Sequence, residues 1–161
     1  MRRRLALAAV TLAAVVWVAA LFVAPIAGNS TPLMRRSAAV CYAAGSLICH
    51  QRTERSFHIA AVQLPVCARC TGLYTGAAIG AILWMAMAGI GDRSATAALR
   101  VTRASRPRWI LIASAVPTLV TLATAALGVR DPGNATRALL AIPLGVTIGA
   151  AVAAVAARDL R

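Results

Sequence analysis

Residues 5–27, with the sequence LALAAVTLAAVVWVAALFVAPIA, decide the fold because they contain no charged side chain. A helix rises about 1.5 Å per residue, so this run exceeds the roughly 30 Å of a hydrocarbon core and can cross a membrane. Arginines at positions 2–4 precede it, and a secretory signal also begins with basic residues. Such a signal has a shorter apolar core, of about 7 to 15 residues. We therefore predict an uncleaved membrane span.

Three more uncharged runs follow, at residues 71–91, 109–129 and 138–157. In the whole chain 60% of the residues are hydrophobic and 13% are charged, whereas a typical soluble domain has about 25% charged residues. This composition excludes an ordinary soluble domain. The sequence predicts an all-α fold, a four-span transmembrane helical bundle, in which residues 1–161 form a single integral membrane domain.

The formal net charge of +13 would suit a nucleic-acid binder only if the positive charge followed one solvated face with aromatic side chains for stacking. The arginines instead form short clusters between the uncharged runs, and aromatic residues make up 4% of the chain. We therefore expect a lipid bilayer as the partner and no nucleic acid. Arginines are denser in the segments that lie in the cytoplasm if the N-terminus does. This bias predicts a multi-pass protein of the inner (plasma) membrane with both termini cytoplasmic.

Glycines recur at every fourth position in the second predicted span, at Gly72, Gly76 and Gly80. Residues four apart lie on one face of a helix, so these glycines leave a strip of bare backbone. In lipid, helices associate through van der Waals packing at such small residues. The strip predicts close contact with another helix, either in the same chain or in a homo-oligomer.

Residues 28–70, between the first two predicted spans, contain every cysteine and histidine of the chain. The apolar stretch at residues 37–49 is too short to cross a bilayer comfortably, so we predict an interfacial or re-entrant helix there. Residues 50–56 are polar, and a mixed apolar segment at 57–66 follows them. The whole connection is predicted to be a Cys/His-rich interfacial loop.

Cys67 and Cys70 form a C-x-x-C pair, a spacing that lets two thiolates bind one ion, and Cys49 lies upstream of them. A structural zinc ion needs four nitrogen or sulfur ligands in a tetrahedron. The sequence therefore predicts a zinc site with a structural or sensing role, formed by Cys49, Cys67, Cys70 and either His50 or His58. Adjacent side chains diverge, so Cys49 and His50 are poor partners for one ion. His58 or Cys41 would then complete the set, although Cys41, inside an apolar stretch, is expected to be a small buried hydrophobe.

A second chemistry uses the same pair of thiols. Cys67 and Cys70 lie where the second span begins, and a helix N-terminus stabilises a thiolate. The chain would then be a membrane thiol-disulfide oxidoreductase with a quinone as cofactor, so whether it is an enzyme stays open. A small transporter or a membrane scaffold is a further alternative. A proton-coupled transporter is disfavoured because all four predicted spans lack carboxylates and histidines.

Polar side chains beside the cysteines are candidate ligand contacts. Arg55 and Arg69 could hold an anionic ligand or a lipid phosphate through charge-assisted hydrogen bonds. Gln51 could add a neutral hydrogen bond. Arginines at a membrane edge also extend toward the headgroups, and for Arg55 both roles stay open.

Three motifs carry a family resemblance: Cys49-His50-Gln51, Arg55-Ser56-Phe57, and LPVCARCTGLYTG at residues 64–76. With these motifs the chain resembles a domain-of-unknown-function family of small bacterial and archaeal integral membrane proteins. The resemblance is strongest over residues 41–80. It implies that the important positions are Cys49, His50, Cys67, Arg69, Cys70 and Gly72. It implies no activity, because the family has none assigned.

Overall fold

The computed structural model describes residues 2–28, 30–89, 107–129 and 132–158. Five helices lie in these ranges: α1 (Arg2–Ala27), α2 (Pro32–Ile48), α3 (Ala68–Gly89), α4 (Pro107–Ala126) and α5 (Asn134–Arg158). Between α2 and α3 lie a 3-10 turn and two short strands: the turn at Thr53–Arg55, β1 (Ser56–Ile59) and β2 (Val62–Cys67).

Four of the described helices are long and apolar enough to cross a membrane, which confirms the predicted four-span, mainly helical fold. The candidate spans are Arg4–Ala27, Ala68–Ala88, Arg108–Ala126 and Asn134–Ala157. By length and composition α2 is not among them, which agrees with its sequence being too short to cross.

All four candidate spans begin earlier than predicted, two of them by one residue and two by more, at Ala68 and Asn134 instead of residues 71 and 138. The predicted spans contained only uncharged residues. The helices begin before those runs, because the first turns of α3 and α5 contain Arg69 and Arg137. The predicted end of the second span, residues 90–91, lies outside the described part of the chain. So do six of the seventeen arginines behind the predicted orientation: Arg93, Arg100, Arg103, Arg106, Arg130 and Arg161.

Helices α3 and α5 run parallel and pack through glycines. A Cβ atom on Gly72 would overlap the backbone of Ala138, and one on Gly80 would overlap the backbone of Val146. Two glycines of α5 approach α3 equally closely, Gly145 and Gly149. The predicted strip of bare backbone therefore contacts a helix of the same chain, and α5 covers it.

Helix α1 packs antiparallel to α3. Near the start of α1, Leu7 shares a buried cluster with Trp84 and Ala157. Further along, the rings of Trp17 and Tyr74 meet edge to face, with centroids 5.9 Å apart and an interplanar angle of 85°. Because Leu7 and Ala157 belong to one cluster, the first and last described helices begin and end at the same end of the bundle.

Helix α4 joins the bundle mainly through α5. The hydroxyl oxygens of Ser114 and Thr147 lie 3.0 Å apart, and Thr118 Oγ1 donates to the Leu140 carbonyl at 2.9 Å. Many of the other side chains of α4 are large, apolar and exposed, as expected for a helix surrounded by lipid.

The connection from α1 to α3 begins with α2, which folds back along α1. Thr31 caps α2 by accepting the Met34 N–H at 3.5 Å. Ala38 and Cys41 of α2 pack with Leu21 of α1 in a second buried cluster. The buried position of Cys41 agrees with the expectation of a small buried hydrophobe.

The rest of the connection contains a β-hairpin that the sequence did not predict. Strands β1 and β2 pair antiparallel with His58 opposite Gln63, and the turn residues Ala60 and Ala61 have positive φ. Pro65 lies inside β2 and has no backbone N–H to donate, which makes it atypical of a strand. Since both strands are also short, the sequence pattern carries no strand signal, and the hairpin lies within the connection that was predicted to be a loop.

Candidate metal centre

Three cysteines meet where α2, the β-hairpin and α3 join. The Sγ atoms of Cys49, Cys67 and Cys70 all lie within 4.8 Å of one another. Cys49 follows the end of α2, Cys67 is the last residue of β2, and Cys70 lies in the first turn of α3. All four cysteines of the chain are free thiols. The predicted trio therefore comes together from three separate elements.

The end of α2 determines where Cys49 lies. Its backbone N–H donates to the Gly45 carbonyl at 2.9 Å, and its backbone then turns to an extended conformation. Gly45 is buried against β2, where an added Cβ would overlap the Pro65 carbonyl. The last turn of α2 and β2 can approach this closely only because residue 45 has no side chain.

Gln51 links the same two elements through its side chain. Its Nε2 donates to the Tyr42 carbonyl of α2 at 2.9 Å and to the Pro65 carbonyl of β2 at 2.6 Å. Gln51 also has a φ of 46°, in the left-handed region, so the chain turns sharply directly after the Cys49-His50 pair. The side chain predicted as a ligand contact thus binds backbone carbonyls of its own protein.

Two residues that the sequence did not single out complete this support. Gln63 Nε2 donates to the Gln51 carbonyl at 2.6 Å, and the Tyr42 hydroxyl donates to the Gln63 carbonyl. Both contacts join residues far apart in sequence, so no local pattern could have revealed them.

Cys67 occupies the N-cap position of α3. Its sulfur accepts hydrogen bonds from the Cys70 thiol and from the backbone N–H groups of Cys70 and Arg69, as expected for an acceptor at a helix N-terminus. These bonds, led by the one from the Cys70 thiol, lower the pKa of the Cys67 thiol despite its partial burial. The Cys67 N–H in turn donates to Cys49 Sγ at 3.2 Å. Backbone donors are therefore aimed at two of the three sulfurs.

The inner wall of the centre is apolar and aromatic. Cys49 and Cys70 pack against the cluster that contains Leu21 and Val66, both fully buried, and Tyr74 packs against the same cluster. Tyr74 also lies within electrostatic range of all three thiols. Each of the three cysteines is nevertheless only partly buried, so the sulfurs are reachable from outside the protein.

Neither histidine joins the three cysteines. His50 and His58 are both exposed, and among the described residues the group contains no histidine or carboxylate. His58 lies on β1, where an irregular register after Ser56 interrupts the pairing, and it borders a separate cavity of about 420 Å³. Cys41, the other candidate for a fourth ligand, lies outside the group on the buried side of α2.

The predicted arginine contacts flank the centre. Arg55 and Arg69 are partly buried, and the Nε atom of each is buried without a hydrogen-bond partner among the described residues. Their role as contacts for an anionic ligand stays a prediction.

A buried arginine, Arg137, helps to hold the hairpin on α5. The Arg137 side chain is only 5% exposed, and its Nη1 donates to Asn134 Oδ1 at 3.0 Å. Asn134 Nδ2 donates in turn to the Ser56 carbonyl at 3.0 Å. The start of α5 and the start of β1 are therefore fastened to each other at the thiol end of the bundle.

Comparison with known proteins places these motifs in a family. A family of predicted membrane proteins, DUF2085, matches residues 49–151, a region that begins at Cys49 and contains all three clustered cysteines. The chain is 34% identical over 107 residues to an uncharacterized protein of Methanocaldococcus jannaschii, a match covering 66% of this chain and 62% of that protein. It is 31% identical over 99 residues to an uncharacterized protein of Methanothermobacter thermautotrophicus, covering 62% of this chain and 78% of that one.

No solved structure shows a significant match to the chain. The family model covers more than half of the sequence and describes a membrane protein, in agreement with the four candidate spans. The predicted resemblance to a membrane family of unknown function is thereby confirmed, and the chain belongs to the DUF2085 family.

Proposed function

We propose that this protein is a polytopic membrane metal-binding protein in which Cys49, Cys67 and Cys70 hold one transition-metal ion, with zinc as the preferred metal. The observation that carries the proposal is the convergence of the three Sγ atoms to within 4.8 Å. A Zn–S bond is about 2.3 Å long, so two sulfurs on one zinc ion lie at most about 4.6 Å apart. Small side-chain movements bring all three thiolates onto one ion.

The role that fits this placement is structural or sensing. The three thiols come from α2, β2 and α3, so a bound ion would tie the connection between the first two spans to the bundle. Metal binding to such a site contributes directly to folding stability, because the unfolded chain has no preformed site. Loss of the ion would remove the link between the end of α2 and the junction of β2 with α3.

We also propose which membrane holds the protein and how the protein is oriented in it. We assign the protein to the inner (plasma) membrane with both termini cytoplasmic and the thiol centre on the opposite side. Support comes from the cluster joining Leu7 to Ala157, which requires α1 to begin and α5 to end on one side. The arginine density of the connecting segments selects the cytoplasm for that side.

Elemental analysis of the purified protein tests the metal assignment. Protein prepared in detergent under reducing conditions should carry about one zinc ion per chain, as for a mononuclear site. Cys67→Ser should lose most of that metal, whereas the matched control Cys41→Ser should retain it. A triple Cys49, Cys67 and Cys70 to serine variant with wild-type metal content would refute the proposal.

A second candidate function rests on the placement of the C-x-x-C pair: Cys67 directly precedes α3, Cys70 lies in its first turn, and their Sγ atoms lie within 4.8 Å of each other. A thiolate hydrogen-bonded by a neighbouring thiol at a helix N-terminus is typical of a redox dithiol. In that case Cys67 and Cys70 would form a disulfide, passing two electrons and two protons to a membrane quinone, and would then oxidise a partner dithiol. Metal-free protein whose disulfide forms in a quinone-dependent reaction would favour this function over metal binding.

A further inference from the structure

We infer that the metal centre is an open site: three protein thiolates hold the ion, and the fourth position takes an exchangeable small ligand of the thiolate or small-anion class. This inference rests on the proposed metal-binding function and extends it from a structural role to the binding of a small ligand. A closed site serves structure alone, whereas an open site lets the ion bind a molecule from solution.

The number of protein ligands favours an open site. Structural zinc sites supply four protein ligands, whereas sites that bind substrate supply three and leave one position for water or substrate. Among the residues that the structure describes, the group contains three thiols and no histidine or carboxylate. Both nearby histidines, His50 and His58, are exposed and outside the group.

The partial exposure of the three cysteines also favours an open site. Leu21 and Val66 close the inner side and offer no lone pair to a metal. The three cysteines themselves are partly exposed. A ligand from solution can therefore reach an ion held by the sulfurs.

The charge of the three thiolates and of the groups around them bears on which ligand would bind. Three thiolates around a divalent ion leave a net negative charge, which the protein offsets with backbone donors. The Cys67 N–H donates to Cys49 Sγ at 3.2 Å, and Cys67 and Cys70 lie where α3 begins, at the positive end of its helix dipole. These groups favour an anionic fourth ligand. A thiol that binds would lose its proton to solvent and displace a water molecule from the ion.

Cobalt substitution tests the inference. The metal-free full-length protein in detergent is loaded with Co²⁺, whose visible spectrum reports its coordination, and is titrated with azide and separately with 2-mercaptoethanol. We expect a saturable spectral shift with each probe at an unchanged ratio of cobalt to protein. The His50→Ala and His58→Ala variants should give the wild-type spectrum before and after titration.

Each contrary result has a distinct meaning. A bound-cobalt spectrum that neither probe changes, or one that a histidine variant alters, shows a closed site and overturns the inference while leaving metal binding intact. Failure of wild-type protein to bind cobalt or zinc overturns the proposed function itself. The Cys41→Ser variant serves as the control for any general effect of losing a thiol.

Discussion

At the scale of single residues, the thiol positions depend on side chains that bind no ion themselves. Gln51 holds the α2 and β2 backbones together through two carbonyl hydrogen bonds, and Gly45 lets those backbones approach. The trio Cys49, Cys67 and Cys70 could be predicted because its spacing is a local pattern. The support could not, since Gln51 bonds to carbonyls nine and fourteen positions away in the chain.

Replacing Gln51 with alanine tests this support. The change leaves the two carbonyl acceptors without their donor, and loss of such outer hydrogen bonds typically weakens metal binding about 10- to 100-fold. We expect a zinc affinity at least tenfold lower in a competition assay with a chromogenic chelator. Ser46→Ala, which removes an exposed hydroxyl from the neighbouring helix α2, is the matched control. Equal affinities for the two variants would contradict the role assigned to Gln51.

The reactivity of Cys67 in metal-free protein provides a second residue-scale prediction. Hydrogen bonds lower the pKa of its thiol, while burial raises the pKa of the Cys41 thiol. A thiol whose pKa lies well above the solution pH loses about tenfold in thiolate for each unit of acidification. Between pH 7 and pH 6, the alkylation rate of Cys67 by iodoacetamide should fall much less than that of Cys41. Equal falls, measured by mass spectrometry, would show that the Cys67 thiolate is not stabilised.

At the scale of secondary-structure elements, composition predicted the spans and left the connection unresolved. In lipid, the backbone N–H and C=O groups of a long uncharged run such as residues 109–129 must form hydrogen bonds with each other. A helix satisfies all of them within a single segment. The hairpin follows from long-range contacts instead, among them the bond from Asn134 to Ser56. Its register places His58 opposite Gln63, and neither of the two histidines expected as a ligand, His50 or His58, belongs to the group of three thiols.

The α3–α5 contact predicts the effect of a single methyl group. In Gly80→Ala the new Cβ would overlap the Val146 backbone, so the helices must separate, at a cost of about 1 to 3 kcal/mol. We expect a lower midpoint of thermal unfolding in detergent. Gly133→Ala, whose Cβ would meet nothing within 4 Å, should leave the midpoint unchanged. An unaltered midpoint in Gly80→Ala would mean that α3 and α5 do not pack through this face.

At the scale of the whole molecule, the bundle has two unlike ends. One end carries the start of α1 and the end of α5, joined through Leu7 and Ala157. The other carries the thiol centre, the hairpin and the bond from Asn134 to Ser56. A site that captures ions or small ligands would therefore sample only one side of the membrane.

Cysteine labelling in intact cells tests which side that is. The four native cysteines are first replaced by serine, because the partly exposed Cys49, Cys67 and Cys70 would themselves react. In that background, a cysteine introduced by Ser30→Cys should react with a membrane-impermeant maleimide added outside. A cysteine introduced by Arg4→Cys should react only after permeabilisation, because the positive-inside rule assigns that end to the cytoplasm. The reverse pattern would place the thiol centre in the cytosol and overturn the proposed orientation.

The most direct test of the central claim is X-ray absorption at the zinc K edge of the wild-type protein loaded with zinc. We expect a coordination shell of about three sulfur atoms at about 2.3 Å and one lighter atom. A shell of nitrogen and oxygen atoms alone, with no sulfur, would contradict it, because Cys49, Cys67 and Cys70 would then hold no ion.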